Sequence, residues 1–167
     1  MAEYGDTNYC QRCGQALEQR EFEGKPRPTC PSCGFIVFLD PKVAVVVLVS
    51  DGDRLLFVQR GAEPQIGKWC FPGGYVDRGE EVTAAAQREV REETGLKVEI
   101  TGLIGVYSLP SNPVIVIAYS GSVRSGELVA GTDAEDAGWF EAGTLPELAF
   151  PHNVKIIEDW EAAQQAG

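Results

Sequence analysis

The stretch GYVDRGEEVTAAAQREVREETGL, residues 74–96, carries the clearest structural signal of the chain. It contains no proline or glycine between Glu80 and Thr94, and its three consecutive alanines favour a helix. Gly95 follows as a C-terminal stop, because glycine readily adopts the left-handed conformation that ends many helices. An apolar stripe recurs at every fourth position, at Val82, Ala86 and Val90. The pattern predicts an amphipathic helix whose stripe packs against a sheet.

The same helix gathers three carboxylates on one face. At 3.6 residues per turn, Glu89, Glu92 and Glu93 span an arc of roughly 100°. The like-charged pair Glu89 and Glu93 costs roughly 0.2–0.5 kcal/mol at a spacing of four, and a carboxylate in the last turn costs about 0.3–1 kcal/mol against the helix dipole. A divalent cation among the carboxylates reverses these penalties, and hard oxygen ligands suit Mg²⁺ or Mn²⁺ better than Zn²⁺. From the residues alone, a metal site and a solvent-exposed acidic face both remain open.

Four of the five cysteines form two C-x-x-C-G turns, at Cys10, Cys13, Cys30 and Cys33. Each turn brings two thiolates to one metal ion, and the glycine behind it allows the tight backbone turn. Two disulfides are the alternative, which the doubled spacing and a reducing compartment oppose. Because four thiolates leave no position for water, the predicted zinc ion is structural, and its binding stabilises a segment too short to bury much core.

The composition changes near residue 40, and we place a domain boundary there. Residues 1–40 form the predicted zinc ribbon, and residues 41–167 form a larger domain. In the larger domain, strands are predicted at 43–49, at its hairpin partner 54–59, and at 98–103, 114–118 and 137–140. A second helix is predicted at 154–163, with Asn153 as its N-cap and Ile156, Ile157 and Trp160 facing inward. The sequence therefore predicts an α+β fold in which a mixed sheet packs with two helices.

The charge and hydropathy of the chain limit the classes of molecule or surface that it is expected to bind. The chain has 167 residues, a formal net charge of -11 and a pI near 4.5, so it repels the phosphates of nucleic acids and of anionic lipids. The longest apolar run, residues 43–49, is far shorter than the ~20 residues that cross a bilayer. The N-terminus has no leader that resembles a signal peptide, so we expect a cytoplasmic protein without membrane or nucleic-acid partners. The oligomeric state stays open, with a homodimer among the alternatives.

The spacing within residues 74–96, which we call the box, resembles the signature of the Nudix hydrolases. The matching positions are Gly74, Glu80, Arg88-Glu89-Val90, Glu92-Glu93 and Gly95-Leu96. The preceding segment GKWCFPGG, residues 67–74, is similar to the strand that enters this box in the family. The cysteine pairs followed by Asp40-Pro41-Lys42 resemble the zinc-ribbon subgroup, which includes NADH pyrophosphatases and FAD and ADP-ribose pyrophosphatases.

The resemblance implies a fold, a reaction and a set of site residues. It implies an α/β/α sandwich that hydrolyses a nucleoside diphosphate linked to another group, giving a nucleoside monophosphate and a phosphorylated remainder. Mg²⁺ or Mn²⁺ is then bound by Glu89, Glu92 and Glu93, with the Gly74 carbonyl as a further ligand. Glu80 is implied as a helper that acts through water, and Arg88 as the residue that orients the glutamates.

Several acids are candidates for the general base, and the other aromatic and polar residues have structural explanations. The base is Glu93 or Glu89, or an acid of the segment 132–136; within that segment, Glu135 and Asp136 are expected to form an exposed turn before the last strand. His152 is expected to border the cap of the last helix. Trp69, Trp139 and Phe140 are expected to pack in the core, and Cys70 to serve as a small buried hydrophobe. Phe150 is expected to pack as well, with stacking on a nucleotide base as the alternative.

The residues after the box bear on the substrate. NADH pyrophosphatases of this subgroup have a run rich in Gln, Pro, Trp and Phe there, whereas residues 108–114 here read SLPSNPV. Pro110 stands where relatives acting on ADP-ribose place a proline, and a proline in a loop has an equally good structural reason. The resemblance favours ADP-ribose or FAD over NADH. A nucleotide-sensing protein without catalysis is the alternative of another class, opposed by the four intact box glutamates.

Overall fold

The computed structural model describes residues 7–131 and 134–166. The chain divides into two compact units, the first ending at Pro41 and the second beginning at Lys42. In the first unit, β1 (Glu18–Phe22) and β2 (Lys25–Thr29) form an antiparallel hairpin. Its buried residues include Cys10, Cys30 and Val37, so the cysteines form much of a very small core.

The second unit contains seven strands and two helices among its described residues. The strands are β3 (Lys42–Asp51), β4 (Arg54–Arg60), β5 (Trp69–Cys70), β6 (Gly73–Tyr75), β7 (Lys97–Tyr107), β8 (Val114–Ser125) and β9 (Ala134–Glu141), and the helices are α1 (Val82–Thr94) and α2 (Pro151–Ala166). The sheet order is β5-β4-β3-β8-β7, with β6 paired to β3 and β9 paired to β4. Because β3 and β8 run parallel and the other pairs antiparallel, the predicted mixed sheet is confirmed.

The two helices cover opposite faces of the sheet. Val45, Val47 and Val49 of β3 share one buried cluster with Ala86 and Val90 of α1. On the other face, a second cluster contains Leu48, Phe57, Phe71, Ile156 and Ile157, the last two from α2. Alternate residues of a strand point to opposite faces, so β3 contributes to both clusters. The α/β/α arrangement that the resemblance implied is confirmed.

The predicted hairpin of residues 43–49 and 54–59 is wrong over most of its length. The strands β3 and β4 pair only near the turn, at Ser50 with Leu55 and Asp51 with Arg54. Further along, β6 pairs with β3 in the place that β4 would occupy, while β4 pairs with β5 and β9. The separation of β3 from β4 lets the short strand before α1 enter the sheet.

The last strand and the last helix begin earlier than predicted. α2 starts at Pro151, a residue favoured at the first helical position, so Asn153 lies inside the first turn and is not the N-cap. Asn153 is only 1% exposed, because this turn packs against the body of the unit. β9 starts at Ala134, since its pairing with β4 extends to Arg60. The other strands predicted at 98–103 and 114–118 are present and longer, and Cys70 is buried beside Val58 and Ala149 as expected. Neither of the described helices has the length and apolarity to cross a membrane.

Candidate functional site

Arg88 lies at the centre of the acidic face of α1. Its Nε and Nη2 donate to the two carboxylate oxygens of Glu80 at 2.8 and 2.9 Å. Its Nη1 donates to Glu89 at 2.7 Å and to Glu92 at 3.1 Å, and Nη2 also donates to the carbonyl of Tyr75 at 3.1 Å. One planar guanidinium therefore holds three of the four glutamates at the signature positions of the box and ties them to β6.

The environment of these acids differs from one to the next. The hydrogen bonds from Arg88, and next the backbone N–H of Asp77 at 3.0 Å, lower the pKa of Glu80 to about 2. Burial is the largest effect on Glu89, whose side chain is 14% exposed, and it raises the pKa of that carboxyl against the opposing effect of Arg88. The Glu92 side chain is 51% exposed. The carboxylates thus differ in exposure, from the half-buried Glu89 to the solvated Glu92.

Gly74 is packed directly against the Glu89 carboxylate. A Cβ atom at position 74 would lie 2.6 Å from the carboxylate carbon and from both oxygens of Glu89. Such a distance is far inside van der Waals contact, so a side chain at this position excludes the observed position of the carboxylate. The resemblance implied that the carbonyl of Gly74 is a metal ligand. The structure adds a steric reason for a glycine at this position.

Glu93 is anchored separately from the other three acids. The backbone N–H of Gly73 donates to Glu93 Oε2 at 2.8 Å. The neighbouring thiol of Cys70 has a pKa raised to about 11, first by burial and then by the charge of Glu93. Gly73 itself lies against β3, where a Cβ atom would be 2.1 Å from the Val45 carbonyl oxygen. Strand β6 therefore contacts the end of α1 through both Gly73 and Gly74.

The C-terminal end of α1 is covered by residues 126–131, which we call the capping segment. Gly95 adopts a left-handed conformation, as the sequence predicted, and its N–H donates to the Arg91 carbonyl. The N–H groups of Val129 and Gly131 donate to the carbonyls of Thr94 and Glu93 at 3.0 and 2.9 Å. The sequence analysis predicted neither this segment nor the hydrogen bond donated by Gly73. The glycines at 126 and 131, which stand at the two ends of the segment, were the signal that could have indicated it.

The aromatic side chains outside the box pack against other side chains. Phe150 is stacked on His152, with ring centroids 5.3 Å apart, and the Arg60 guanidinium lies 5.0 Å from the Phe150 centroid. His152 is in the first turn of α2, and burial lowers its pKa. Trp69 and Phe140 pack on the cluster beneath α2, and Trp139 packs on the cluster beneath α1.

Glu135 and Asp136, the described acids of the segment 132–136, lie in a strand and not in a turn. Glu135 and Asp136 are both exposed residues of β9, so the expectation of a turn before the strand is corrected. Asp136 accepts a hydrogen bond from the N–H of Ala137. The rest of that segment, Thr132 and Asp133, lies outside the described residues.

The four cysteines of the first unit form a compact cluster. Their Sγ atoms all lie within 4.8 Å of one another, which makes them a group able to hold one metal ion. The Sγ atoms of Cys13 and Cys30 lie 3.5 Å apart, much farther than in a disulfide bond, and all four cysteines are free thiols. The two turns are alike: Gly14 and Gly34 both have φ of 73° and donate to the carbonyls of Cys10 and Cys30. A set of four cysteine ligands is typical of structural zinc.

The donor set on α1 fits a different ion. It offers only oxygen atoms, from carboxylates of graded exposure next to the backbone of β6, and hard oxygen donors suit Mg²⁺ or Mn²⁺. In the described part of the chain these carboxylates are not drawn together as tightly as the cysteines. Arg88 and Gly73 hold them at separate positions around the end of the helix.

Comparison with known proteins matches this geometry. A family model described as the NUDIX domain matches residues 40–160. The ADP-ribose pyrophosphatase of Methanocaldococcus jannaschii is 41% identical over 128 residues, which cover 74% of this chain and 75% of the relative. The NAD-capped RNA hydrolase NudC of Pseudomonas aeruginosa is 32% identical over 163 residues, which cover 96% of this chain but only 58% of the relative. Among solved structures, a NUDIX hydrolase from Nitrosomonas europaea matches with a TM-score of 0.89 at 27% identity, over 96% of this chain and 93% of that one.

Proposed function

The chain belongs to the Nudix hydrolase family, and from that premise we propose that it hydrolyses the diphosphate of ADP-ribose or FAD to AMP and a phosphorylated remainder. The observation that carries the proposal is the cluster at the end of α1, where Arg88 and the backbone of β6 hold four glutamates. The cluster supplies oxygen ligands for the divalent ions that a diphosphate substrate requires in a protein of net charge -11.

Each box residue has a proposed role. Glu89, Glu92 and Glu93 are the proposed ligands of Mg²⁺ or Mn²⁺, with the Gly74 carbonyl as a further ligand. When bound, the cation neutralises and orients the diphosphate and makes the attacking water more acidic. Arg88 keeps Glu89 and Glu92 in position through one bond to each, and its two bonds to Glu80 fix the guanidinium from the opposite side.

The proposed reaction is the addition of water to one phosphorus of the anhydride. The new P–O bond forms as the bridging P–O bond breaks, and the second phosphate departs with the electron pair of that bond. The proton of the attacking water passes to a carboxylate oxygen of Glu93 or Glu89. Burial raises the pKa of Glu89, and the Glu93 carboxylate accepts a hydrogen bond from the N–H of Gly73.

The choice of substrate rests on similarity as well as on residues 108–114. The 41% identity to a protein named ADP-ribose pyrophosphatase supports ADP-ribose. The similarity to NudC supports a second candidate, a pyrophosphatase acting on NADH or on an NAD-capped RNA end, although the chain spans only 58% of that relative. The segment SLPSNPV lacks the Gln and Trp residues associated with nicotinamide nucleotides, which favours the first candidate.

The cysteine cluster is the proposed site of one structural zinc ion, bound by Cys10, Cys13, Cys30 and Cys33. The four sulfur atoms leave no ligand position for water or substrate. We assign residues 1–40 to a zinc ribbon and residues 41–167 to the hydrolase domain. We also infer a cytoplasmic protein whose partner is a nucleotide and not a nucleic-acid or membrane surface, because its net charge is strongly negative.

A substrate panel tests the proposal. Purified protein with Mg²⁺ is incubated with ADP-ribose, FAD, NADH, NAD-capped RNA, ATP and dGTP, and the products are separated by chromatography. We expect the highest kcat/KM for ADP-ribose or FAD, with AMP as a product. If NADH, capped RNA or a nucleoside triphosphate is clearly the best substrate, the proposed specificity is wrong; binding of nucleotides without any hydrolysis would instead indicate a sensor.

A further inference from the structure

The capping segment, residues 126–131, contacts the turn of α1 that carries Glu92 and Glu93. A helix leaves its last carbonyls without partners inside the helix. Here the N–H of Gly131 donates to the Glu93 carbonyl at 2.9 Å, and the N–H of Val129 donates to the Thr94 carbonyl at 3.0 Å. Two backbone N–H groups from a distant part of the sequence thus donate hydrogen bonds to the terminal carbonyls of the turn that carries Glu92 and Glu93.

The fit of this segment leaves no room for a side chain at position 131. A Cβ atom there would lie 1.8 Å from the carbonyl oxygen of Glu92 and 3.1 Å from the Cα of Glu93. Both contacts are with backbone, which cannot move aside as the end of a side chain does. A side chain at 131 must therefore displace either the capping segment or the last turn of α1.

A second close contact fixes the other end of the segment. Gly126 has φ of 107°, and a Cβ atom there would lie 2.5 Å from the Gly95 carbonyl oxygen. In return, a Cβ atom at Gly95 would lie 2.7 Å from the carbonyl oxygen of Glu127. Between these contacts, Leu128 packs on the cluster beneath α1. The segment is therefore held at both ends and in the middle.

The contacts also bear on the electrostatics of the site. Carboxylates in the last turn of a helix are opposed by the partial negative charge of its terminal carbonyls. The N–H groups of Val129 and Gly131 bring partial positive charge to two of those carbonyls. The segment thereby reduces the repulsion that the sequence alone predicts for Glu92 and Glu93.

We infer that Gly131 is a positioning residue for the metal-binding carboxylates of Glu92 and Glu93, acting through the backbone of the turn that bears them. The inference rests on the proposed function, since it concerns the ligands of the same divalent ion. It assigns to a residue 38 positions after Glu93 a role in holding the site.

The test compares Gly131→Ala with Gly143→Ala as a matched control. Gly143 has no atom within 4 Å of its ideal Cβ and does not adopt a left-handed conformation, so alanine is tolerated there. Binding of Mn²⁺ alone is followed by electron paramagnetic resonance, together with kcat and KM for ADP-ribose. We expect Gly131→Ala to weaken Mn²⁺ binding about tenfold or more and to lower kcat more than it changes KM, while Gly143→Ala matches the wild type.

A measurement on the wild-type protein covers the case in which Gly131→Ala does not fold. Hydrogen–deuterium exchange at the amides of Val129 and Gly131 should slow when Mn²⁺ is added, because ion binding rigidifies the turn to which they are bonded. Unchanged exchange, or a folded Gly131→Ala protein that binds Mn²⁺ like the wild type, overturns the inference and leaves the proposed function standing. A wild-type protein that neither binds Mn²⁺ nor hydrolyses any diphosphate overturns both.

Discussion

The backbone N–H of Gly73 donates to the Glu93 carboxylate at 2.8 Å and joins β6 to the end of α1 across 20 residues of sequence. The other three box glutamates are bound by Arg88. A backbone N–H of β6 thus binds Glu93, and the Arg88 guanidinium binds its three neighbours. The bond from Gly73 places Glu93, one of the proposed metal ligands, at a defined position beside β6.

Replacing Glu93 by Gln therefore tests the site most directly. The amide oxygen can still accept the bond from Gly73, so the fold should be unchanged, but the charge is lost. We expect turnover with Mg²⁺ to fall about 100-fold or more, measured as kcat for ADP-ribose, with an unchanged circular dichroism spectrum. Glu161→Gln, at an exposed position of α2, is the control and should have no effect. Near-normal activity of Glu93→Gln would mean that the ligand assignment is wrong.

The sequence predicted those parts of the structure that depend on local patterns. The span of α1, its apolar stripe and its Gly95 stop all depend on residues within a few turns of one another. The pairing of β4 could not be predicted in this way, because β5, β6 and β9 compete for the same strand edges and their choice depends on the assembled sheet. The bond from Gly131 to Glu93 was missed for the same reason.

The start of α2 shows a second limit. Asn153 is a favoured N-cap residue, and Pro151 is a favoured first residue of a helix, so the local sequence supports two starting points. Tertiary packing decides between them, because the helix begins at Pro151 and Asn153 is buried. Burial of this kind depends on residues that are distant in sequence, and no local pattern predicts it.

The cysteine cluster leads to a prediction about metal content. We expect one tightly held zinc ion per chain that excess Mg²⁺ does not displace, measured by mass spectrometry of the purified protein. Cys30→Ser should lose the ion and make residues 1–40 sensitive to proteolysis while α1 stays folded, because metal binding supplies much of the folding free energy of so small a unit. Cys70→Ala, which lies outside the cluster, should keep the zinc ion. Wild-type protein purified without zinc would contradict this assignment.

Tyr107 and Asp159 give a prediction about alkaline stability. The Tyr107 hydroxyl donates to Asp159 at 2.9 Å and links β7 to α2. Burial, then the hydrogen bond to Asp159 and last the charge of Asp159, raise the pKa of Tyr107 above its ordinary value of 10.0. The folded state therefore keeps the phenol proton that the unfolded chain loses, so this stabilisation is complete below pH 10.0 and declines as the pH rises further.

Tyr107→Phe should accordingly cost about 0.5–1.5 kcal/mol of unfolding free energy at neutral pH. The difference from the wild type should shrink as the pH rises above 10.0, because only the wild type has this stabilisation to lose. Urea unfolding at several pH values measures both effects. Tyr119→Phe, on the neighbouring strand β8, is the control. A difference between Tyr107→Phe and wild type that stays constant up to the highest pH would show that the hydrogen bond to Asp159 is not the cause.

Gly73 and Gly74 are adjacent in sequence, yet a methyl group at each should have a different effect. At Gly73 the added Cβ would meet backbone, 2.1 Å from the Val45 carbonyl oxygen, so β6 must separate from β3. At Gly74 the three atoms that it would approach most closely all belong to the end of a side chain, the Glu89 carboxylate at 2.6 Å. A carboxylate can rotate away at small cost, whereas a paired strand cannot.

We therefore expect Gly73→Ala to lower stability by about 1–3 kcal/mol or to prevent folding, as overpacking against fixed backbone does. Gly74→Ala should keep the stability of the wild type but lower kcat/KM about 10- to 100-fold, because Glu89 is displaced from its place beside β6. Thermal unfolding and ADP-ribose hydrolysis, measured on both variants, separate the two effects. If Gly74→Ala keeps full activity, the position of Glu89 against Gly74 has no part in catalysis; if instead it unfolds like Gly73→Ala, Gly74 is required for the packing of the sheet and not for the site.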